Sequence, residues 1–305
     1  MNKPRPINLA ASVRQRLLNQ SKQRHEDFNL ILTCYANERF LYRLAQSRYA
    51  DQFILKGAQL FAVWKEPGHR PTRDLDLLGF GDSAPESLAS VFQEVCNLDV
   101  EADGVVFDPA SLRVTEIREQ QAYPGQRVQL LATLDTARIQ LQIDIGFGDI
   151  VTPEPELVEF PTLLDSPAPR LRTYPPETVI AEKLQAMVVF GILSSRMKDL
   201  HDLWTISGRF SFEGKTLAQA IRSTFQRRRT GIPRMPVALT AEFSGSPDKN
   251  AQWRAFLQRN RLEPSDVSLA QIIEELRSFL IPVLSAIPEE HLFDARWSPG
   301  GPWVT

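Results

Sequence analysis

The sequence predicts an α/β fold of the α+β kind: a mixed sheet core preceded by helices and followed by a helical C-terminal half. Three patterns predict it. Apolar residues recur at helical spacing through the first 50 residues, alternate in period two around residues 105–147, and return to helical spacing beyond a proline-rich passage. A length of 305 residues suggests roughly two folding units. The expected division is residues 1–165, helices plus sheet core, and residues 166–305, a helical domain that completes the site.

The elements follow in order. After Pro4 and Pro6, Ile7 to Ser21 places Leu9, Val13, Leu17 and Leu18 on one helical stripe, and Phe28 to Ala45 does the same with Leu30, Ile31, Cys34, Tyr35, Leu41 and Tyr42. Phe53 to Lys65 reads as an apolar entry, a Lys56-Gly57 break, and a helix over Gln59–Trp64. A Pro/Gly loop, EPGHRPT, leads to Asp74-Leu75-Asp76-Leu77-Leu78, whose alternation predicts a half-buried strand with both aspartates on one face. Pro85 to Asn97 is expected to be a helix, with Ser83 as its cap. Val105 to Arg118, Arg127 to Leu134 and Arg138 to Phe147 favour strands, the last two joined as a hairpin by the short turn Asp135-Thr136-Ala137. Pro153 to Pro176 is expected to break regular structure and mark the domain boundary. Helices are then expected over Pro176–Val189, Ser195–Ser207, Leu217–Arg228, Ala251–Arg259 and Leu269–Ile281, and the Gly/Pro/Trp-rich tail after Pro288 is expected to pack loosely.

Composition narrows the function. A formal net charge of −2 excludes a chain that grips nucleic acid by overall basicity. Cys34 and Cys96 make no CxxC, and the four histidines are too scattered for an HExxH site. No apolar run reaches the ~18 residues of a membrane span, and no signal-peptide core follows the N-terminus, so no membrane partner and a cytoplasmic protein are expected.

The residues that point to chemistry are acids on strands. Asp74 and Asp76, at i and i+2, lie about 7 Å apart along the strand, and Asp144 sits on a later one. Clustered carboxylates repel, and a divalent cation removes that penalty; Mg²⁺ in particular is suited by a few carboxylates completed with water and phosphate. Upstream, Lys56-Gly57 at the mouth of a helix exposes backbone N–H groups suited to phosphate. Beyond the proline-rich passage, Lys183 borders the apolar side of its helix, where a lysine either snorkels or meets an anion. In Arg196-Met197-Lys198-Asp199-Leu200-His201-Asp202, Asp199 and Asp202 share a helix face, with Arg196 three residues before Asp199. Two basic runs are open to either reading, solvated surface or polyanion contact: Lys3 to Arg24, and Lys215 to Arg234, the latter with Arg222, Arg227, Arg228 and Arg229.

Taken together, the segments FILKGAQLFAVWKEPGHRPTRDLDLLGFGD, RIQLQIDIGFGDIV, TYPPETVIAEKLQAMVVFG and RMKDLHDLW resemble the AbiEii/AbiGii toxin family of the nucleotidyltransferase superfamily, found in type IV toxin–antitoxin systems. The resemblance spans about residues 50–205. It implies a nucleotidyltransferase-like core and metal-dependent transfer of a nucleotidyl group from an NTP with release of pyrophosphate. In the residues that match, Asp74 and Asp76 would bind Mg²⁺ (or Mn²⁺), Asp144 would be a third ligand or base, Lys183 would touch nucleotide phosphates, and Asp199 would be the later acid, with Asp202 the alternative register. Lys56, Gly57, Ala58, Thr72, Arg73, Lys183, Arg196, Lys198 and Asp202 would line the nucleotide. An RNA acceptor such as the 3′ end of tRNA, and a cognate antitoxin, would be the partners. Two features depart from the family pattern: Ala58 stands where Gly or Ser is usual, so a hydroxyl is missing, and the interval from Gly57 to Asp74 is long. Two other readings use the same residues, a nucleotide-binding module without catalysis and a phosphotransferase acting on a protein.

Overall fold

The computed structural model describes residues 8–65, 72–117, 125–193, 195–262, 267–287 and 293–305. Most of the EPGHRPT loop, the start of the tail at Pro288, and Pro4 and Pro6 with Lys3 and Arg5 lie outside them. The chain divides into two compact units: Met1–Gly148 with Glu156–Thr173, and Asp149–Pro155 with Tyr174–Thr305.

The first unit opens with α1 (Leu9–Arg24) and α2 (Phe28–Gln46). Each begins at a side chain that accepts a backbone N–H left over at the helix start, Asn8 from Ala11 at 3.1 Å and Asp27 from Leu30 at 2.9 Å. Then come β1 (Phe53–Lys56), α3 (Leu60–Val63), β2 (Leu75–Gly79), α4 (Pro85–Cys96), β3 (Val105–Ile117), β4 (Gly125–Leu134), β5 (Ala137–Phe147), β6 (Glu156–Glu159) and β7 (Arg170–Thr173). The strands form one mixed sheet in the order β3-β4-β5-β2-β1-β7-β6. β2 runs parallel to β5, and β1 parallel to β7; the remaining neighbours are antiparallel.

Alternation in β4 and β5 buries Val128, Leu130, Ala132 and Leu134 with Ile139, Leu141, Ile143 and Ile145 on one face. Phe40 of α2 stacks on Phe92 of α4 at 5.5 Å, and Phe92 meets Phe53 of β1 edge-on at 5.6 Å, so one aromatic chain ties both helices to the sheet. α2 is buried nearly all round and carries charge into the core: Arg43 grips Asp103 through two bonds, at 2.6 and 3.2 Å.

The second unit is helical: α5 (Pro176–Phe190), α6 (Met197–Arg209), α7 (Gly214–Arg227), α8 (Ala241–Gly245), α9 (Pro247–Asn260) and α10 (Leu269–Ala286). α5 packs on α6 and α7, and α10 on α6, α7 and α8. Short strands β8 (Phe212–Glu213), β9 (Arg296–Trp297) and β10 (Trp303–Val304) make a small sheet in the order β10-β9-β8.

Four expectations are corrected. The proline-rich passage contains β6 and β7, because Glu156–Glu159 and Arg170–Thr173 fall between its prolines and pair with each other. The helix expected over Gln59–Trp64 is a single turn, preceded by a 3-10 turn at Gly57–Gln59. Ser83 does not cap α4; Asp82 instead receives the Ala84 N–H at 3.0 Å and the Ser87 hydroxyl. The described part of the tail packs tightly: Trp297 is buried, its ring 4.8 Å from Phe279, and Trp303 stacks on Phe279 at 5.8 Å.

Candidate active site

Strand register builds the first constellation. Lys56 at the end of β1 lies opposite Asp76 of β2, Asp76 lies beside Asp144 of β5, and Asp144 lies opposite Arg127 of β4. Residues directly opposite one another share a face, so the four side chains form a row across four neighbouring strands with charges +, −, −, +. Asp144 is clasped by Arg127, Nε donating to Oδ1 at 2.8 Å and Nη2 to Oδ2 at 2.7 Å, with the two side chains 22% and 35% exposed. This bidentate geometry fixes the carboxylate's orientation and offsets its charge.

Gly57 closes the row from the β1 side. Its φ of +73° is a left-handed conformation natural to glycine, and a Cβ placed there would lie 2.0 Å from Asp76 Oδ2. Only a residue without a side chain lets the backbone after β1 press against that carboxylate. Ala58 is buried, so a hydroxyl at this position would have no direct route to solvent. The one-turn α3 offers little helix dipole; what can attract phosphate at this end is the turn's own N–H groups.

Asp74 is exposed just before β2, and Thr72 and Arg73 lead into it. α2 pins that approach by the backbone. Asn37, buried, donates from Nδ2 to the Arg73 carbonyl at 2.7 Å, and the Cys34 thiol faces the Thr72 carbonyl at 3.9 Å. Burial, aided by Glu26 and Glu38, pushes the Cys34 thiol up to about 11, so it stays a donor rather than a thiolate. The Arg73 side chain points outward, 63% exposed, with Asp27 at 3.3 Å.

Among the described residues no group of three His, Cys, Asp or Glu is arranged to hold a metal ion. The trio Asp74, Asp76 and Asp144 therefore does not form a three-carboxylate cage, and Arg127 already occupies both oxygens of the third acid. Asp76, against a turn that no Cβ can enter, and Asp74, exposed two residues before it, remain as two oxygen-donor side chains, a donor set that suits Mg²⁺ completed by water and phosphate.

The second constellation lies in the helical unit. Lys183 of α5 donates to Asp199 Oδ1 at 2.9 Å and to Asp202 Oδ2 at 2.7 Å, so both acids of α6 meet the lysine. Arg196 pairs with the other oxygen of Asp199. The two carboxylates are 1% and 0% exposed. Burial opposes the charge on Lys183, but Asp199 and Asp202 outweigh it and raise its pKa. Burial likewise opposes ionisation of Asp199, and Lys183 and Arg196 overcome it, leaving its pKa lowered. Lys198 is exposed and stands apart from this group.

The basic run of the second unit does not present one surface. Arg228 turns inward, only 10% exposed, donating to both Asp149 oxygens at 3.0 and 2.9 Å and to Gln185 Oε1 at 3.0 Å, with Glu182 at 3.3 Å. As a free RNA contact, Arg228 is thereby corrected. Arg222 reaches toward the Ile287 carbonyl at 3.5 Å, Arg227 is half-buried, and Arg229 is exposed with a left-handed φ of 49°.

A sequence model of the family described as "Nucleotidyl transferase AbiEii toxin, Type IV TA system" matches residues 39–285. Among solved structures, the chain is similar to JHP933 from Helicobacter pylori (15% identity, 83% of this chain and 90% of that one, TM-score 0.46). It is also similar to a protein of H. pylori provisionally assigned as a nucleotidyltransferase (14% identity, 83% and 93%, TM-score 0.47). No curated protein matches the sequence.

Proposed function

The chain belongs to the AbiEii family of nucleotidyltransferase toxins of type IV toxin–antitoxin systems, and from that premise we propose that it moves a nucleotidyl group from an NTP to the 3′ end of an RNA, tRNA being the first to test. Its toxicity would be restrained by a cognate antitoxin. The observation that carries the reading is Gly57 packed against Asp76, a backbone turn beside a carboxylate where an added Cβ would lie 2.0 Å from Oδ2.

In this reading Asp74 and Asp76 hold Mg²⁺ (or Mn²⁺), which when bound supplies positive charge to the triphosphate and to the attacking oxygen. Gly57 and Ala58 offer backbone N–H groups to the β- and γ-phosphates, and Lys56 adds a cation at the same strand end. Asp144, oriented by Arg127, keeps one lone pair on each oxygen and receives the proton of the attacking hydroxyl. The acceptor oxygen bonds to the α-phosphorus, the bond to the bridging oxygen breaks, and pyrophosphate leaves with the electron pair. Lys183, Asp199 and Arg196 are assigned to the reaction by resemblance alone.

Incubation with each α-labelled NTP, Mg²⁺ and total cellular RNA tests the proposal. Label is expected to appear in a discrete RNA species with stoichiometric pyrophosphate, and Asp74→Ala, at an exposed position, is expected to abolish it without lowering thermal stability. Undiminished transfer by that variant would remove the assignment, and release of nucleoside diphosphate in place of pyrophosphate would make the enzyme a phosphotransferase.

A further inference from the structure

We infer that a cleft on the β5 side of Asp74 seats the terminal nucleotide of the RNA acceptor, a subsite that rests on the nucleotidyl-transfer reading above. The cleft has a volume of about 330 Å³ and is lined by Asn29 and Thr33 of α2, Arg73 and Asp74 at the entry to β2, and Arg138, Gln140 and Gln142 of β5, with Leu32 and Ile139 as apolar lining. It opens because β2 joins β5 only from Leu75 opposite Ile143 onward, while β5 itself begins at Ala137. Among the described residues, the stretch of β5 before Ile143 has no strand on that side. The volume is near the lower end of the ~300–1,000 Å³ typical of ligand pockets, room for a nucleoside unit and not for a duplex.

Strand order gives the cleft its role. The sheet runs β5-β2-β1, so the Asp74/Asp76 strand separates the Gly57 turn on one side from the cleft on the other. In an in-line displacement the attacking and leaving oxygens lie on opposite sides of the phosphorus. With the leaving pyrophosphate cradled by the Gly57 turn, the attacking hydroxyl comes from the β5 side, where Asp74 itself lines the cleft.

The lining suits a nucleotide. Leu32 and Ile139 offer apolar surface to a base, and Asn29, Gln140 and Gln142 carry paired donors and acceptors that can read its edge or a 2′-hydroxyl. Arg73 and Arg138 place two guanidiniums for phosphodiester oxygens. The Arg73 contact with Asp27 is surface-exposed and thus weak, and Arg138 makes no ion pair among the described residues, so neither charge is consumed internally.

The test uses the full chain, its Arg138→Gln and Gln140→Ala variants, α-labelled NTP and total cellular RNA. Unchanged melting temperatures establish that both variants fold. Loss of one charge-assisted hydrogen bond is expected to raise the RNA KM of Arg138→Gln about tenfold, and to make its dependence on salt shallower by about one phosphate. The NTP KM should be unchanged, and Gln140→Ala should act in the same direction with less force. An unchanged RNA KM would overturn the subsite, as would a shift confined to the NTP KM, which would make the cleft a donor-base pocket. Label on a protein instead of RNA would overturn it while leaving nucleotidyl transfer intact. Should the wild type transfer nothing, the transfer reading falls, and anisotropy of a 5′-fluorescein oligoribonucleotide decides the cleft: weaker binding by Arg138→Gln supports it, and equal binding sinks it.

Discussion

Asp144 in the sheet and Asp202 in the helical unit are both carboxylates held by a cation, yet their surroundings are opposite. Asp144 keeps 22% of its side chain exposed beside Arg127, in a row whose neighbour Asp76 is half-buried and whose approach, Asp74, is exposed. Asp202 has no exposure against Lys183, and its neighbour Asp199, held by Lys183 and Arg196, has 1%. The difference is one of purpose. Carboxylates at a solvated rim exchange water for a ligand at little cost, whereas buried ones are expensive to disturb because a stranded charge loses its hydration with nothing in return. Substitutions in the sheet row should change activity with little effect on stability; substitutions in the helical group should change stability first.

The largest expected effect breaks the sheet side of this contrast. Asp76→Asn retains shape and removes the charge that would hold Mg²⁺, and label transfer is expected to fall by about 10³-fold, ~4 kcal/mol of transition-state stabilisation. Its urea midpoint should stay near that of the wild type. A large loss of stability in Asp76→Asn would put the sheet row in the same class as the helical group and erase the distinction.

Lys183→Met addresses the other side. Two adjacent buried carboxylates would lose their shared cation, and breaking a buried pair by removing one partner costs about 3 kcal/mol, measured by urea unfolding at pH 7. The deficit should shrink as pH falls. Without the lysine, both acids are protonated more readily in the fold than in the open chain, so the variant regains stability relative to wild type in acid. A deficit independent of pH would mean that Lys183 acts by packing and not by charge.

Much of this arrangement was legible in the sequence, for reasons that can be located. The period-two runs around Asp76 and Asp144 are strands because alternation leaves one face for the core, and the carboxylates fall on the other. Even the clasp on Asp144 was within reach: counting back along β4 and forward along β5, one residue at a time from the Leu134–Ala137 pair, lands Arg127 opposite Asp144. The hold of Asn37 on the Arg73 carbonyl was not, because it joins a helix to a loop distant in sequence and no local pattern encodes it. Arg228 was read with its basic neighbours, since a run of arginines carries no sign of which one points inward; the partners that turn it, Asp149, Glu182 and Gln185, come from other segments. The strands β6 and β7 were hidden by the prolines around them, each only four residues long and completing an edge of the sheet beside β1, a strand far upstream.

Gly57→Ala sharpens the comparison inside the sheet row. A methyl group at 2.0 Å from Asp76 Oδ2 cannot be accommodated, and the positive φ adds strain of about 1 kcal/mol. Either the turn or the carboxylate must move. A displacement on the order of 1 Å costs about 10²-fold in kcat, which steady-state label transfer would read, while the fold persists by circular dichroism. Full activity in this variant would show that close approach of the turn to Asp76 is not needed for chemistry.

The smallest expected effect concerns Glu38, a buried carboxylate of the first unit that belongs to neither constellation. It accepts the Leu163 N–H at 2.7 Å and lies 2.7 Å from Arg39, yet burial outweighs both and raises its pKa from the usual 4.5 to about 7. A carboxyl that is harder to ionise in the fold than in the open chain contributes stability in full below about 4.5 and loses it as pH climbs through about 7. Stability attributable to this residue should therefore decline across that window and level off above it. Glu38→Gln keeps an acceptor for Leu163 and cannot ionise, so the pH-dependent component should vanish and the variant should match or exceed wild type at pH 8. Because Glu38 follows Asn37 on α2, which holds the Arg73 carbonyl, the same titration also asks whether the approach to Asp74 is rigid. If label transfer by wild type and Glu38→Gln follows one pH profile, ionisation of this core does not reach the sheet row; if the profiles separate between pH 5 and pH 8, α2 transmits it.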